Sequence, residues 1–318
     1  MQKTGLKTLV VACRSNSPPQ GETMNVLKNQ GVKNFILLRL PCVGRVSPTF
    51  FLKALALGIT RLVVIPCEED YCRFKEGSRI STRRFLAIQN LLHQLGFGKD
   101  VFTIIRKLRK VHIDTNRCIG CGDCAYICPY DAIKIVTPGV AQINLNVCSG
   151  CGACAPVCPS IAIIPEGFEY ESMSRSISNY NSFIRKMKSE RKTPMVLVFC
   201  CQWSEFSALD KNQGDLSKDN VVILEIPCSS RVDSLHILEA FYSGFDGVLI
   251  VTCKEGECKL EEGNEKAKER VLSLKKLLAQ VNLENRLEIC FTSPKYVGEF
   301  DTYISSFLEK IGSLSKNS

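Results

Sequence analysis

The chain has one tryptophan and three histidines in 318 residues, and its longest apolar stretches, such as Gly247 to Thr252, are only strand-length. None approaches the ~20 apolar residues that cross a bilayer, so no membrane span is predicted. The N-terminus lacks the charged, apolar and small-residue sections of an export signal. The patterns G-x-G-x-x-G, G-x-x-x-x-G-K-S/T and G-x-S-x-G are missing, so nothing argues for a nucleotide loop or a serine nucleophile. His93, His112 and His236 fall on helical or strand stretches, where packing or surface is the plain reading. His112, near Cys118 in sequence, could also tune a metal centre through a hydrogen bond. The net charge is +9, but the basic runs Arg106 to Lys110 with Arg117, and Arg185 to Lys192, carry no interleaved aromatics and no nucleic-acid motif. A solvated helix face or a dock for an acidic partner is expected, and nucleic acid is not.

Cysteine, in contrast, is abundant, with eighteen in the chain. In a long chain without an export signal they are expected to be reduced and mostly metal-bound, which points to the cytoplasm. Eight of them form two copies of C-x2-C-x2-C-x3-C-P: Cys118, Cys121, Cys124, Cys128-Pro129 and Cys148, Cys151, Cys154, Cys158-Pro159. This is the spacing of a bacterial two-cluster ferredoxin, in which the fourth cysteine of each copy reaches the other cluster. The expected ligand sets for two [4Fe-4S] clusters are therefore Cys118, Cys121, Cys124 and Cys158, and Cys148, Cys151, Cys154 and Cys128. Gly122 and Gly152 supply the permissive backbone that a loop crowded around a cluster needs. The resemblance to two-cluster ferredoxin modules spans roughly Val111 to Pro165. Zinc sites usually pair shorter C-x2-4-C or histidine elements, and four cysteines ending in Cys-Pro argue against them.

Short apolar strands alternate with helical stretches on either side of this insert. Strands are predicted at Leu6 to Ala12, Asn34 to Leu40, Arg61 to Ile65 and Val101 to Ile105, with helices from Ser47-Pro48 to Leu57 and over Ser78 to Leu95. Glu166 to Lys192 reads as a polar, serine-rich link whose second half is helical. Strands follow at Met195 to Phe199, Val221 to Ile226, Gly247 to Thr252 and Arg286 to Cys290. Helices are predicted over Val232 to Tyr242, Glu261 to Ala279 and Phe300 to Ile311. The alternation predicts mostly parallel sheets covered by helices.

The two flanks are copies. Leu38 to Phe97 lies on Leu224 to Leu283 with a constant shift and no gap: Pro41-Cys42 on Pro227-Cys228, Arg45-Val46 on Arg231-Val232, Leu52 on Leu238, Ala54 on Ala240, Gly58 on Gly244, Cys67 on Cys253, Cys72 on Cys258, Gly77 on Gly263 and Arg84 on Arg270. Cys13 corresponds to Cys201. The predicted fold class is α/β: two parallel-sheet, flavodoxin- or Rossmann-like units with an inserted α+β two-cluster ferredoxin. The expected boundaries are 1–108, 109–166 for the ferredoxin, 167–193 for a linker helix and 194–318. Each α/β unit carries four cysteines at or just beyond predicted strand ends, where an open α/β sheet binds its ligands. The first set is Cys13, Cys42, Cys67 and Cys72; the second is Cys201, Cys228, Cys253 and Cys258. Cys200 and Cys290 lie outside these sets and read as buried packing residues.

The stretches FCCQWSEFSALD, PCSSRVD, AFYSGFDGVLIVTCKEGEC and EEGN, within Met195 to Pro294, resemble the delta subunit of methyl-viologen-reducing hydrogenase. That family is also found fused to, or associated with, heterodisulfide-reductase-type complexes. PCVGRVSP and PCEEDYC make the N-terminal unit a more distant copy. The resemblance implies a [2Fe-2S] cluster on Cys201, Cys228, Cys253 and Cys258, with Trp203 packed beside it. Ser204 and Lys259 stand where the family usually has a further cysteine and a histidine, which leaves four thiols. In the N-terminal unit Ser15 takes the place of Trp203, and a second [2Fe-2S] cluster, zinc or free thiols remain open. Arg45 and Arg231 would either balance the negative charge of a cluster loop or form structural salt bridges.

Carried over from the family, the chain would be an electron-transfer subunit of a hetero-oligomeric anaerobic complex, without substrate chemistry of its own. Its partners would be a flavoprotein like the large subunit of heterodisulfide reductase, together with a hydrogenase, formate dehydrogenase or other redox subunit. Heterodisulfide reductase, electron-bifurcating and class II benzoyl-coenzyme A reductase complexes all fit. The alternative is a thiol-based redox enzyme or sensor fed by the ferredoxin, against which the five-residue spacing of Cys67/Cys72 and Cys253/Cys258 speaks.

Overall fold

Continuous apolar runs such as TLVVAC and VLVFCC bury every residue, as strands covered on both faces must. A computed structural model of the chain describes residues 8–13, 27, 32, 34–67, 72, 76–105, 111–136, 139–191, 193–207 and 220–316. The chain divides into two units, Met1–Leu108 and Arg109–Ser318.

The first unit is built from β1 (Thr8–Cys13), β2 (Phe35–Leu40), α1 (Pro48–Ala56), β3 (Arg61–Ile65), α2 (Gly77–Gln94) and β4 (Phe102–Ile104). The sheet order is β2-β1-β3-β4, and every neighbouring pair is parallel. Leu9 and Val11 face a core of Phe51, Phe85, Ile88 and Phe102, while Val10 and Ala12 face Leu27, Val32 and Ile65. Phe51 meets Phe85 and Phe102 edge-on at 5.5 and 5.4 Å between ring centres. Helix α1 starts as its sequence predicts: Ser47 Oγ accepts the Phe50 N–H at 3.3 Å, and Pro48 occupies the first turn. It ends before Gly58, whose φ of +94° suits glycine. Leu6 and Lys7 of the predicted first strand lie outside the described residues.

The second unit opens with the ferredoxin-like segment. Strand β5 (Val111–Ile113) pairs antiparallel with β8 (Ile163–Pro165), and β6 (Ile133–Val136) pairs with β7 (Val140–Ile143); the short α3 (Asp123–Tyr126) lies between. The following stretch forms two helices rather than the one predicted, α4 (Tyr170–Ser178) and α5 (Asn181–Arg191). Met173 and Ile177, then Ile184 and Met187, sit at helical spacing and are buried in the main core; the polar majority around them masks this narrow stripe in the sequence. The basic run on α5 is a solvated face, with Lys188 paired to Asp246 at 2.8 Å and Lys186 to Glu190 at 4.0 Å. The basic run Arg106 to Lys110 lies outside the described residues.

Strands β9 (Val196–Cys201), β10 (Val221–Ile226), β11 (Gly247–Cys253) and β12 (Leu287–Thr292) form a parallel sheet of order β10-β9-β11-β12, the topology of the first unit. Helices α6 (Ser234–Tyr242) and α7 (Gly263–Leu278) cover one face, and α8 (Glu299–Lys316) covers the other with Phe300, Ile304, Phe307 and Ile311. Cys200 and Cys290 are buried in that second layer and serve packing, as their sequence predicts. The repeat extends to single bonds. Arg84 Nη1 donates to Gly44 O at 3.0 Å, and its copy Arg270 Nη1 donates to Ser230 O at 2.9 Å.

His236 on α6 is fully buried, 4.8 Å from the Tyr170 ring and with Nε2 3.3 Å from Tyr170 O. Burial, aided by the Arg231 charge, lowers its pKa to about 4. An unfolded histidine takes a proton near pH 6.5, so between about pH 6.5 and 4 the unfolded chain binds more protons and stability falls as pH falls. Denaturant unfolding between pH 7 and 5 should therefore show a loss approaching ~1.4 kcal/mol per pH unit below the upper value. His236→Gln should flatten that slope.

Candidate metal centres

The ferredoxin loops need left-handed backbone to turn three thiols inward, and each supplies two glycines. Gly120 and Gly122 have φ of +67° and +90°, and Gly150 and Gly152 have +68° and +80°. A Cβ on Gly120 would lie 1.9 Å from Gly139 O, so that loop tolerates no side chain there.

The cysteines gather in crossed sets. Burial raises the Cys124 thiol, and Cys121, Cys158 and Cys118 raise it further, all three close enough to interact. Burial raises Cys154 well above its usual value, with Cys151, Cys148, Cys128 and Cys124 adding to it in that order. Cys128 acts in the same sense on Cys148 and Cys151. Cys158 is thus close enough to act on the first loop and Cys128 on the second, as crossed ligand sets require, and Cys124 also acts across on Cys154. Backbone donors reach the sulfurs as well: Ala141 N–H to Cys118 Sγ at 3.4 Å and Ala162 N–H to Cys158 Sγ at 3.3 Å. His112 is exposed at the surface, its plain reading, and its Nε2 pairs with Glu166 Oε1 at 3.0 Å.

The C-terminal set is assembled by strand ends. Cys201 closes β9, Cys228 follows β10, Cys253 closes β11 and Cys258 precedes α7. Cys201 and Cys253 bring their sulfurs to 3.7 Å without a disulfide. Contacts with Cys228 and then Cys253 hold Cys201 well below the usual thiol value. The same two neighbours hold Cys258 down to about 2, while Cys228 is pushed well up by Cys201 and Cys258. Ser230 Oγ donates to Cys228 Sγ at 3.1 Å. A Cβ on Gly263 would lie 2.2 Å from Cys228 Sγ and 3.6 Å from Cys258 Sγ, so the first residue of α7 has to be bare for the set to close. Trp203 is buried beside the set and its backbone N–H acts on Cys201.

The N-terminal set repeats this plan with all four thiols buried. Cys13 Sγ accepts the Val43 N–H at 3.2 Å, and Cys42 Sγ accepts the Gly44 N–H at 3.3 Å. Cys72 Sγ accepts the Ser78 N–H in the first turn of α2 at 3.2 Å, just as Cys258 accepts from Asn264 in the first turn of α7. Cys13 is raised by Cys42 and then Cys67, and Cys42 is lowered by Cys13 to about 7.

Among the described residues, no group of three or more His, Cys, Asp or Glu closes on a single metal ion. The fit to iron–sulfur centres rests instead on sulfur-only donor sets, their convergence and the amide donors aimed at them. Ser78, Asn264, Gly263 and the Arg84 and Arg270 bonds belong to this framework and were not singled out as site residues from the sequence. The in-register pairs Gly77/Gly263 and Arg84/Arg270 were the available signal.

Comparison with known proteins agrees with this layout. A 4Fe-4S dicluster domain matches residues 111–165, which supports [4Fe-4S] clusters there. A ferredoxin:CoB-CoM heterodisulfide reductase subunit of Methanosarcina mazei is 34% identical over 209 residues, covering 63% of this chain and 25% of that one. An F420-non-reducing hydrogenase iron-sulfur subunit of Methanocaldococcus jannaschii is 31% identical over 127 residues, covering 39% of this chain and 95% of that one. The corresponding subunit of Archaeoglobus profundus is 36% identical over 99 residues, 30% of this chain and 72% of that one. The chain thus spans about a quarter of the length of the heterodisulfide reductase subunits it matches. Among the described residues, no helix is long and apolar enough to cross a membrane. The methyl-viologen-reducing hydrogenase delta-subunit family matches residues 8–110 and 196–315, most of the chain and both copies of the repeat, and the chain belongs to that family.

Proposed function

We propose that the chain is a one-electron relay of a cytoplasmic, hetero-oligomeric redox complex. Two [4Fe-4S] clusters are held by Cys118, Cys121, Cys124 and Cys158, and by Cys148, Cys151, Cys154 and Cys128. A [2Fe-2S] cluster is held by Cys201, Cys228, Cys253 and Cys258, and a second by Cys13, Cys42, Cys67 and Cys72. The carrying observation is that the second ferredoxin loop is packed against the segment that follows Cys228: a Cβ added at Gly152, between Cys151 and Cys154, would meet Arg231 Cδ at 2.9 Å. Adjacent sulfur-bound centres provide a route for single electrons, and the protein contributes spacing, burial and N–H donors that tune potential. The partners are a flavoprotein of the heterodisulfide reductase large-subunit type and a hydrogenase, a formate dehydrogenase or another electron donor. Electron bifurcation and the benzoyl-coenzyme A reductase type of complex are within the same reading.

The test is anaerobic purification followed by iron, sulfide and zinc analysis, with electron paramagnetic resonance of the reduced protein. About twelve irons per chain, with both cluster types visible, is the expected result. About ten would remove one [2Fe-2S] cluster from the reading. About eight, with freely alkylated flanking thiols, would favour thiol chemistry at the flanks, and zinc in place of the missing iron would make them structural sites.

A further inference from the structure

We infer that Arg231 is a positioning residue that ties the second ferredoxin loop to the C-terminal cysteine set and balances charge for electron passage between the two centres. This rests on the cluster reading above. Arg231 is 1% exposed and lies three residues after Cys228. Its Nε and Nη2 both donate to Phe168 O, at 2.9 and 2.6 Å, while Nη1 is buried without a hydrogen-bond partner. Its stem fills the space above Gly152, where an added Cβ would lie 2.9 Å from Arg231 Cδ. Gly152 sits between Cys151 and Cys154, so the guanidinium stem is packed against the second cluster loop itself. The charges of Cys154 and Arg231 interact.

A buried cation with a single carbonyl as acceptor is costly unless negative charge stands nearby. The acids that act on Arg231 through space are Asp233 and Glu169, and Arg270 opposes them. Asp233 spends one carboxylate oxygen capping α6, accepting the Leu235 N–H at 2.9 Å. Thiolate-bound clusters would carry net negative charge, and Arg231 lies near proposed ligands of both centres: its stem packs on the Cys151–Cys154 loop, and its backbone N–H donates to Cys228 O at 3.0 Å. The internal repeat supplies a control. Arg45 occupies the same position in the first unit and is exposed, so the α/β fold does not by itself demand burial of this arginine.

The step is a bare electron transfer: one centre loses an electron, the other gains it, and no bond or proton moves. A fixed cation stabilises whichever neighbouring centre is reduced, so its removal makes reduction harder at both.

Redox titration of the full chain, read by electron paramagnetic resonance, compares wild type with Arg231→Met and Arg231→Lys. Methionine should shift the C-terminal centre and the Cys148, Cys151, Cys154, Cys128 centre to more negative potential. The Cys118, Cys121, Cys124, Cys158 centre should move less, and lysine should restore most of the shift. Unchanged potentials with methionine, equal shifts with lysine and methionine, or one common shift of every centre would each overturn the inference. If the methionine variant does not assemble, Arg231→Gln replaces it, and equal potentials for glutamine and lysine overturn the inference. A wild type without a C-terminal centre overturns the cluster reading and this inference together. A wild type with both centres but an inert position 231 overturns only the inference.

Discussion

Cys128→Ala should cost the chain about four irons, all from the cluster of the other motif. In sequence Cys128 belongs with Cys118, Cys121 and Cys124, and a local reading of the motif would assign the loss there. In the structure it is close enough to act on Cys148, Cys151 and Cys154, and Cys158 is close enough to act on Cys124. A double-substitution cycle makes the assignment without relying on spectra. Cys128→Ala combined with Cys151→Ala removes two ligands of one cluster, so it should lose no more iron than either change alone. Cys128→Ala combined with Cys121→Ala should lose about eight irons. The reverse pattern would dismiss the crossed sets.

Gly263→Ala should abolish the C-terminal centre, about two irons and its paramagnetic signal, and leave the ferredoxin clusters in place. Two effects compete at this residue. Alanine at the start of α7 favours the helix by ~0.5–1 kcal/mol. Its methyl carbon, however, would lie 2.2 Å from Cys228 Sγ, an overlap that side-chain adjustment cannot relieve while the sulfur keeps its place. The overlap wins, and the sulfur or the helix start moves away. Gly312→Ala on α8 is the matched control, because its added carbon meets nothing within 4 Å. It should keep every cluster. Full retention of the C-terminal signal in Gly263→Ala would refute the closeness of α7 to the thiols on which the site is built.

What the sequence makes legible follows the range of the interaction. The C-x2-C-x2-C-x3-C-P loops are local, so Gly122, Gly152 and the expectation of crossed ligand sets follow directly from the motif, whereas the left-handed Gly120 and Gly150 do not. The central strands were legible because parallel strands buried on both faces are continuous apolar runs, and Arg61–Ile65 has the bounds read from the sequence, as does the half-buried edge strand Val221–Ile226. The flanking cysteine sets span much longer stretches, and only strand ends combined with the internal repeat brought Cys201, Cys228, Cys253 and Cys258 together on paper. Helix α4 was missed because Met173 and Ile177 are two buried residues in a polar segment. The difference between Arg45 and Arg231 was invisible, since the two lie in register in identical Pro-Cys-x-x-Arg-Val contexts. Arg231 packs on Gly152 and donates to Phe168 O, whereas Arg45 is exposed.

The ferredoxin-like segment enters through β5 and leaves through β8, and these strands are hydrogen-bonded to each other, with Val111 opposite Pro165. Its two ends therefore emerge side by side at one edge. A segment with this property is a cassette: it can be spliced between neighbours without forcing either to open or stretch, and it can be lost by joining the cut ends. Evolution could thus place a redox module between two duplicated α/β copies in a single insertion, with each copy keeping its own sheet and its own four cysteines.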